Sequence, residues 1–223
     1  QTPGNGFGET PLRKYRRHIF LLHPNTVVIY DELEANEKVR WDWLLHSPVK
    51  FDINPAASIL TTVNKEKGFS SVVQLFCEQE AAITQTDKYA APPNHADAQR
   101  GEDFTDPWSL TASFGPSRNN RILTIIQVEA DGRQAVQIMR EGNTFRCGEW
   151  VIEAELNAKR PGRLYIRNSR NNAVFSYGDK KPEINGELYS CKEKDASVLF
   201  DCVNGEWTVQ EMGDQRVQTM GKW

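Results

Sequence analysis

Residues 13–22 read Arg13-Lys-Tyr-Arg-Arg-His-Ile-Phe-Leu-Leu22, and residues 38–46 read Lys38-Val-Arg-Trp-Asp-Trp-Leu-Leu-His46. Both alternate. In the first, Tyr15, Ile19 and Leu21 fall on one side of an extended chain. In the second, Val39, Trp41, Trp43 and Leu45 oppose Arg40, Asp42, Leu44 and His46. A period of two is the mark of a strand. His23-Pro24-Asn25-Thr26 reads as a turn, because proline presets φ at the second position and asparagine tolerates the third. The β-branched run 26–33 then reads as a return strand, and Glu34-Ala-Asn-Glu37 as a second polar turn. Three strands joined by short turns make a meander, so the sheet is expected to be antiparallel.

The same rhythm continues on the C-terminal side. Strands are expected at 50–53, 57–63, 69–78 and 81–85, with Val73, Leu75 and Cys77 on one side of the third. Residues 86–108 are polar and lack a sustained period, a length of loop that in compact domains is usually functional or mobile. Strands resume at 109–114 and 121–129. Arg121-Ile-Leu-Thr-Ile-Ile-Gln-Val128 is apolar on both sides, as a central strand is. Asp131-Gly132 is a turn signal and a plausible seam. Beyond it come shorter strands at 134–140, 143–146, 150–156, 163–168, 172–177 and 196–212. Within the last, Asn204-Gly205 is a type I′ hairpin signal. It sets a register that pairs Val203 with Glu206, Cys202 with Trp207 and Phe200 with Val209. The expected architecture is all-β: a large antiparallel β-sandwich over 1–131 and a smaller β-sheet domain over 132–223.

Composition agrees. The chain has 223 residues, 39% hydrophobic and 26% charged, which is enough to bury a core without metals or disulfides. It does not fit a disordered, collagen-like or coiled-coil chain. No run approaches a membrane span. With 27 basic against 30 acidic residues there is no electrostatic case for nucleic acid. The chain opens on Gln1 without a Met or a signal peptide, and reads as part of something longer or as a processed chain.

Residues capable of chemistry are few. The four histidines are His18, His23, His46 and His95. None stands at a metal-ligand spacing from another, no Cys-x-x-Cys exists, and no metal or cofactor is expected from local pattern. His46 shares its side with Arg40 and Asp42, either as a titrating cluster or as a solvated strand face. Spacing proposes no second catalytic partner for His46 or His95. Cys77 reads as a small buried hydrophobe, while Cys147, Cys191 and Cys202 leave one disulfide open. The basic run around Arg16 either holds an acidic sugar beside its aromatics or discourages edge pairing. Trp41 and Trp43 read as core. Tyr89, His95 and Trp108, in or beside the long loop, are the better ligand candidates, unless the loop is only a surface excursion. Tyr89, His95, Trp108, Arg16 and His46 are therefore the candidate carbohydrate contacts.

Residues 15–47 also carry a family likeness. Arg17-His18, Pro24, Val28-Ile29-Tyr30-Asp31 and Trp43-Leu44-Leu45-His46-Ser47 resemble the β-sandwich part of the heparinase II/III-like polysaccharide lyases. Pro107-Trp108-Ser109-Leu110 and Arg121–Val128 fit later strands of that sandwich. The likeness is clearest over roughly the first 130 residues. It implies a parent enzyme with an α/α toroid before the sandwich, periplasmic or secreted, cleaving uronate-containing polysaccharide by β-elimination. In the family the Tyr and His that serve as base and acid sit on the toroid and early sandwich, and the metal-binding His and Asp precede this segment. The resemblance therefore brings no catalytic residue, metal or cofactor onto these positions. It implies a non-catalytic portion that supports the toroid and walls a cleft for acidic polysaccharide. The other expectation is a free-standing carbohydrate-binding or adhesion β-sandwich.

Overall fold

The computed structural model describes residues 10–54, 58–88, 107–130, 133–168, 173–184, 187–192, 196–203, 205–212 and 217–220. It is all-β, with no helix among the described residues. The chain divides into two compact units, 1–135 and 136–223.

The first unit holds one antiparallel sheet of seven strands: β1 (Leu12–Leu22), β2 (Thr26–Ser47), β3 (Asp52–Asn54), β4 (Ile59–Asn64), β5 (Phe69–Phe76), β6 (Ala81–Thr86) and β7 (Trp108–Glu129). Their order is β1-β2-β7-β5-β4-β3, with β6 also on β7. The β1–β2 hairpin forms as the alternation predicts, closed through a cis His23–Pro24 bond. The second turn does not form. Glu34-Ala-Asn-Glu37 lies inside β2, where the pairing with β7 shifts register between Glu34 and Trp41. Ala35 is buried there, Glu34 lies 3.8 Å from Arg121, and the Asn36 amide donates to the Pro11 carbonyl. These contacts satisfy the polar groups inside a bulge, so the chain bends without turning back. Opposite them, Gly115-Pro116 is absorbed in the same irregularity, and β7 runs unbroken where two strands were expected.

The bend makes the sandwich. The half of β7 near its end pairs with β5, and the half near its start pairs with β6. Leu33, Leu60, Val73, Leu75 and Ile122 from one half pack in one cluster with Trp41, Trp43, Leu110, Ala112 and Phe114 from the other. The alternation of 39–45 is thus core against solvent, as read from the sequence, with Arg40, Asp42, Leu44 and His46 exposed. Ile122, Leu123 and Ile125 of β7 are all buried, which is the central position expected for 121–128.

The second unit holds β8 (Met139–Glu141), β9 (Thr144–Cys147), β10 (Trp150–Ala154), β11 (Leu164–Asn168), β12 (Val174–Tyr177), β15 (Ser197–Val203), β16 (Glu206–Met212) and β17 (Val217–Met220) in one antiparallel sheet. A separate hairpin, β13 (Glu183–Ile184) with β14 (Glu187–Leu188), lies between β12 and β15 in sequence. The hairpin β15–β16 has the register set by Asn204-Gly205, including Cys202 opposite Trp207 and Phe200 opposite Val209. Gly205 has φ near 81°, the left-handed region that such a turn requires. Phe200, Val209, Val198, Val174 and Tyr189 form this unit's separate cluster. All four cysteines are free, so the disulfide left open among Cys147, Cys191 and Cys202 is not formed.

Candidate functional site

Of the five candidate contacts, Tyr89 and His95 lie outside the described residues. The other three do not converge. Trp108 begins β7 instead of ending a loop; it packs on the core cluster, with the Lys50 ammonium 5.1 Å from its ring centroid. His46 lies opposite Ser109 near the end of β2, on the exposed face. That face carries a polar row in which Ser113 donates to Asp42 at 2.7 Å and Arg40 pairs with Asp42 at 3.0 Å. The Ser113 bond, with help from Arg40, holds the Asp42 carboxyl below its ordinary range. Arg16 is half-buried on β1, opposite Glu32.

The β1–β2 hairpin is instead occupied with its own charges. Arg17 grips Asp31 through two bonds of 2.6 and 2.9 Å, and Asp31 is almost wholly buried. Burial pushes the Asp31 carboxyl up, against the opposing pull of Arg17. On the other face of the strands, Glu32 accepts from Lys14 and from Arg121, each at 2.8 Å. Arg121 is 2% exposed, so these are core charges that must be paired to be tolerated. His18 lies with its ring 6.3 Å from Tyr30 and 6.4 Å from Phe20. Burial first, and then Arg16, lower its pKa to about 4. A cavity of about 320 Å³ opens beside this cluster, walled by Tyr15, Arg17, Asp31, Trp43, Leu44 and Ile122.

A larger concave surface, of about 540 Å³, lies within the second unit. Arg163, Tyr165 and Arg167 line it from β11 and the residue before it, and Glu153 from β10. Period two explains the set: Leu164 and Ile166 are buried on one face, so 163, 165 and 167 share the other. Lys181, Asp179 and Glu183 form the far wall. That wall is held by backbone bonds, Tyr189 to Pro182 at 3.0 Å and Cys191 to Lys180 at 3.0 Å. The Tyr189 hydroxyl donates to buried Glu211 at 3.1 Å and its ring meets Phe200 edge-on. Burial and Glu211 push that phenol up to about 12. Gly178, at φ 77°, brings the chain so close to Gly162 that any Cβ would overlap the Gly162 carbonyl. This contact sets Asp179 beside Arg163, at 3.2 Å. Sequence reading missed this surface. The alternation at 163–167 is visible in the sequence, but the wall that carries Asp179, Lys181 and Glu183 is not.

Among the described residues no group of three His, Cys, Asp or Glu could hold a metal ion, and no helix is long and apolar enough to cross a membrane. No protein-family model matches the sequence, and a search of curated proteins finds no match.

Proposed function

We propose that this chain is the C-terminal β-sandwich portion of a periplasmic or secreted polysaccharide lyase of the heparinase II/III-like kind. It supports a catalytic α/α toroid and walls the cleft for uronate-containing polysaccharide, without performing the elimination itself. One observation carries the reading. Three of the polar positions that bear the likeness are spent on the fold: Arg17 on Asp31 in a two-bond grip, and His18 in a half-buried pocket against Tyr30. Groups held this way shape a scaffold, whereas a general base needs an accessible lone pair within reach of substrate.

Two measurements test it. The gene upstream of the codon for Gln1 should encode a toroid-length reading frame; a stop codon or a signal peptide directly before Gln1 contradicts the reading. The chain, incubated with heparan sulfate and with alginate, should release no unsaturated uronate by ultraviolet absorbance. Steady turnover would show that the scaffold role is wrong.

A further inference from the structure

We infer that the concave face of the second unit, lined by Arg163, Tyr165, Arg167 and Lys181, is a binding site for an anionic saccharide. This deepens the reading above, resting on its acidic-polysaccharide partner but not on its lyase parentage.

The argument begins with what each charge is doing. In the first unit the buried Arg121 and the part-exposed Arg17 are each consumed by a buried carboxylate. Here Arg167 and Lys181 are exposed and form no ion pair among the described residues. Arg163 shares Asp179 in an open pair, with 54% and 32% of the two side chains exposed, so an incoming anion can compete for it. The guanidinium fork of Arg167 suits a planar carboxylate, and the Lys181 ammonium suits a second oxygen of the same or a neighbouring group.

The remaining lining fits the rest of a sugar. Glu153 and Glu183 present carboxylates, which accept hydrogen bonds from ring hydroxyls. They also repel a bare polyanion, so the surface discriminates against charge alone. Tyr165 lies between the two arginines, half-buried against the Val174 and Phe200 cluster. Its ring offers an apolar surface with a polar tip for a pyranose to rest on. From residue 163 to 167 the strand advances roughly 13 Å at about 3.3 Å per residue, which is longer than one sugar ring. The site is built for a short oligosaccharide with acidic groups at intervals.

The experiment is a calorimetric titration of the full chain with four probes: an unsulfated polyuronate oligosaccharide, a heparin oligosaccharide, a neutral glucan and a single-stranded DNA oligonucleotide. Binding of either acidic saccharide, with none of the glucan, supports the site, and the two acidic arms distinguish carboxylate from sulfate as the recognised group. The pair Arg167→Ala and Lys181→Ala should weaken that binding by roughly tenfold or more, the loss expected for charge-assisted hydrogen bonds. Arg167→Lys should recover part of it. Both substitutions are exposed, so an unchanged unfolding midpoint separates lost binding from lost fold. The inference is overturned by failure to bind either acidic saccharide, by equal affinity in the double variant, or by DNA binding as tight as polyuronate. A chain that binds but whose gene lacks an upstream toroid keeps the site and loses the lyase reading. A chain with the toroid and no binding does the reverse.

Discussion

Arginine plays opposite parts in the two units. Arg121 is 2% exposed and Arg17 is locked to a buried Asp31, whereas Arg163 and Arg167 stand on an open sheet face. The residue type is the same, so the difference lies in solvent and partners. A buried guanidinium must be answered by a carboxylate from its own chain, which uses up its capacity to bind anything else. An exposed one costs little to leave unpaired and stays available. Charge density in the sequence therefore misleads: in the densest basic segment, 13–17, Lys14 and Arg17 are committed to buried carboxylates, whereas in the sparser one at 163–167 Arg163 has only an open pair with Asp179 and Arg167 has no ion pair among the described residues.

Substitutions can break that comparison, and the largest effect belongs to the buried side. Arg121→Met removes the buried partner of Glu32 and breaks the pair at a core site. It should cost about 3–5 kcal/mol in urea unfolding. Trp43→Ala, which empties the cluster uniting the two halves of the bent sheet, should cost a similar 3–5 kcal/mol. A loss below about 1 kcal/mol for Arg121→Met would place that charge with the exposed arginines.

His18 gives the next effect and a pH signature. Its pKa falls from 6.5 to about 4 on folding, because burial and Arg16 disfavour the charged ring while Glu32 opposes them. The unfolded chain thus binds more protons between these values. Stability is full above pH 6.5 and falls as the pH drops through the window to about 4, by up to about 3 kcal/mol. His18→Gln should flatten the unfolding midpoint over that range, and an equally steep profile in the variant would contradict the assignment.

How far the sequence reached follows the same division. The 204–205 hairpin was readable because turn chemistry and alternation are local and agree. The bend in β2 was not, since Glu34–Glu37 looks like a turn until Arg121, far along the chain, supplies its partner. Likewise the aperiodic stretch 86–108 places Trp108 in or beside a loop, although it begins a strand and packs on core. Arg163, Tyr165 and Arg167 were legible as one face of a strand. Only the long-range contact of Gly178 with Gly162 and the backbone bonds from Tyr189 to Pro182 and from Cys191 to Lys180 turn that face into a concave surface.

Gly178→Ala tests that wall. A Cβ at φ 77°, overlapping the Gly162 carbonyl, should cost about 1–3 kcal/mol and weaken saccharide binding together with stability. Smallest of all is Arg40→Ala on the polar face of β2, where the pair with Asp42 is exposed. It should move stability by no more than about 0.5 kcal/mol.

The most direct test of committed against available charge is a nuclear magnetic resonance titration of the full chain with a polyuronate oligosaccharide. Backbone shifts should gather at 163–167, 153 and 179–183, leaving the 13–47 hairpin unmoved. Shifts centred on Arg16, Arg17 and Asp31 would contradict the account.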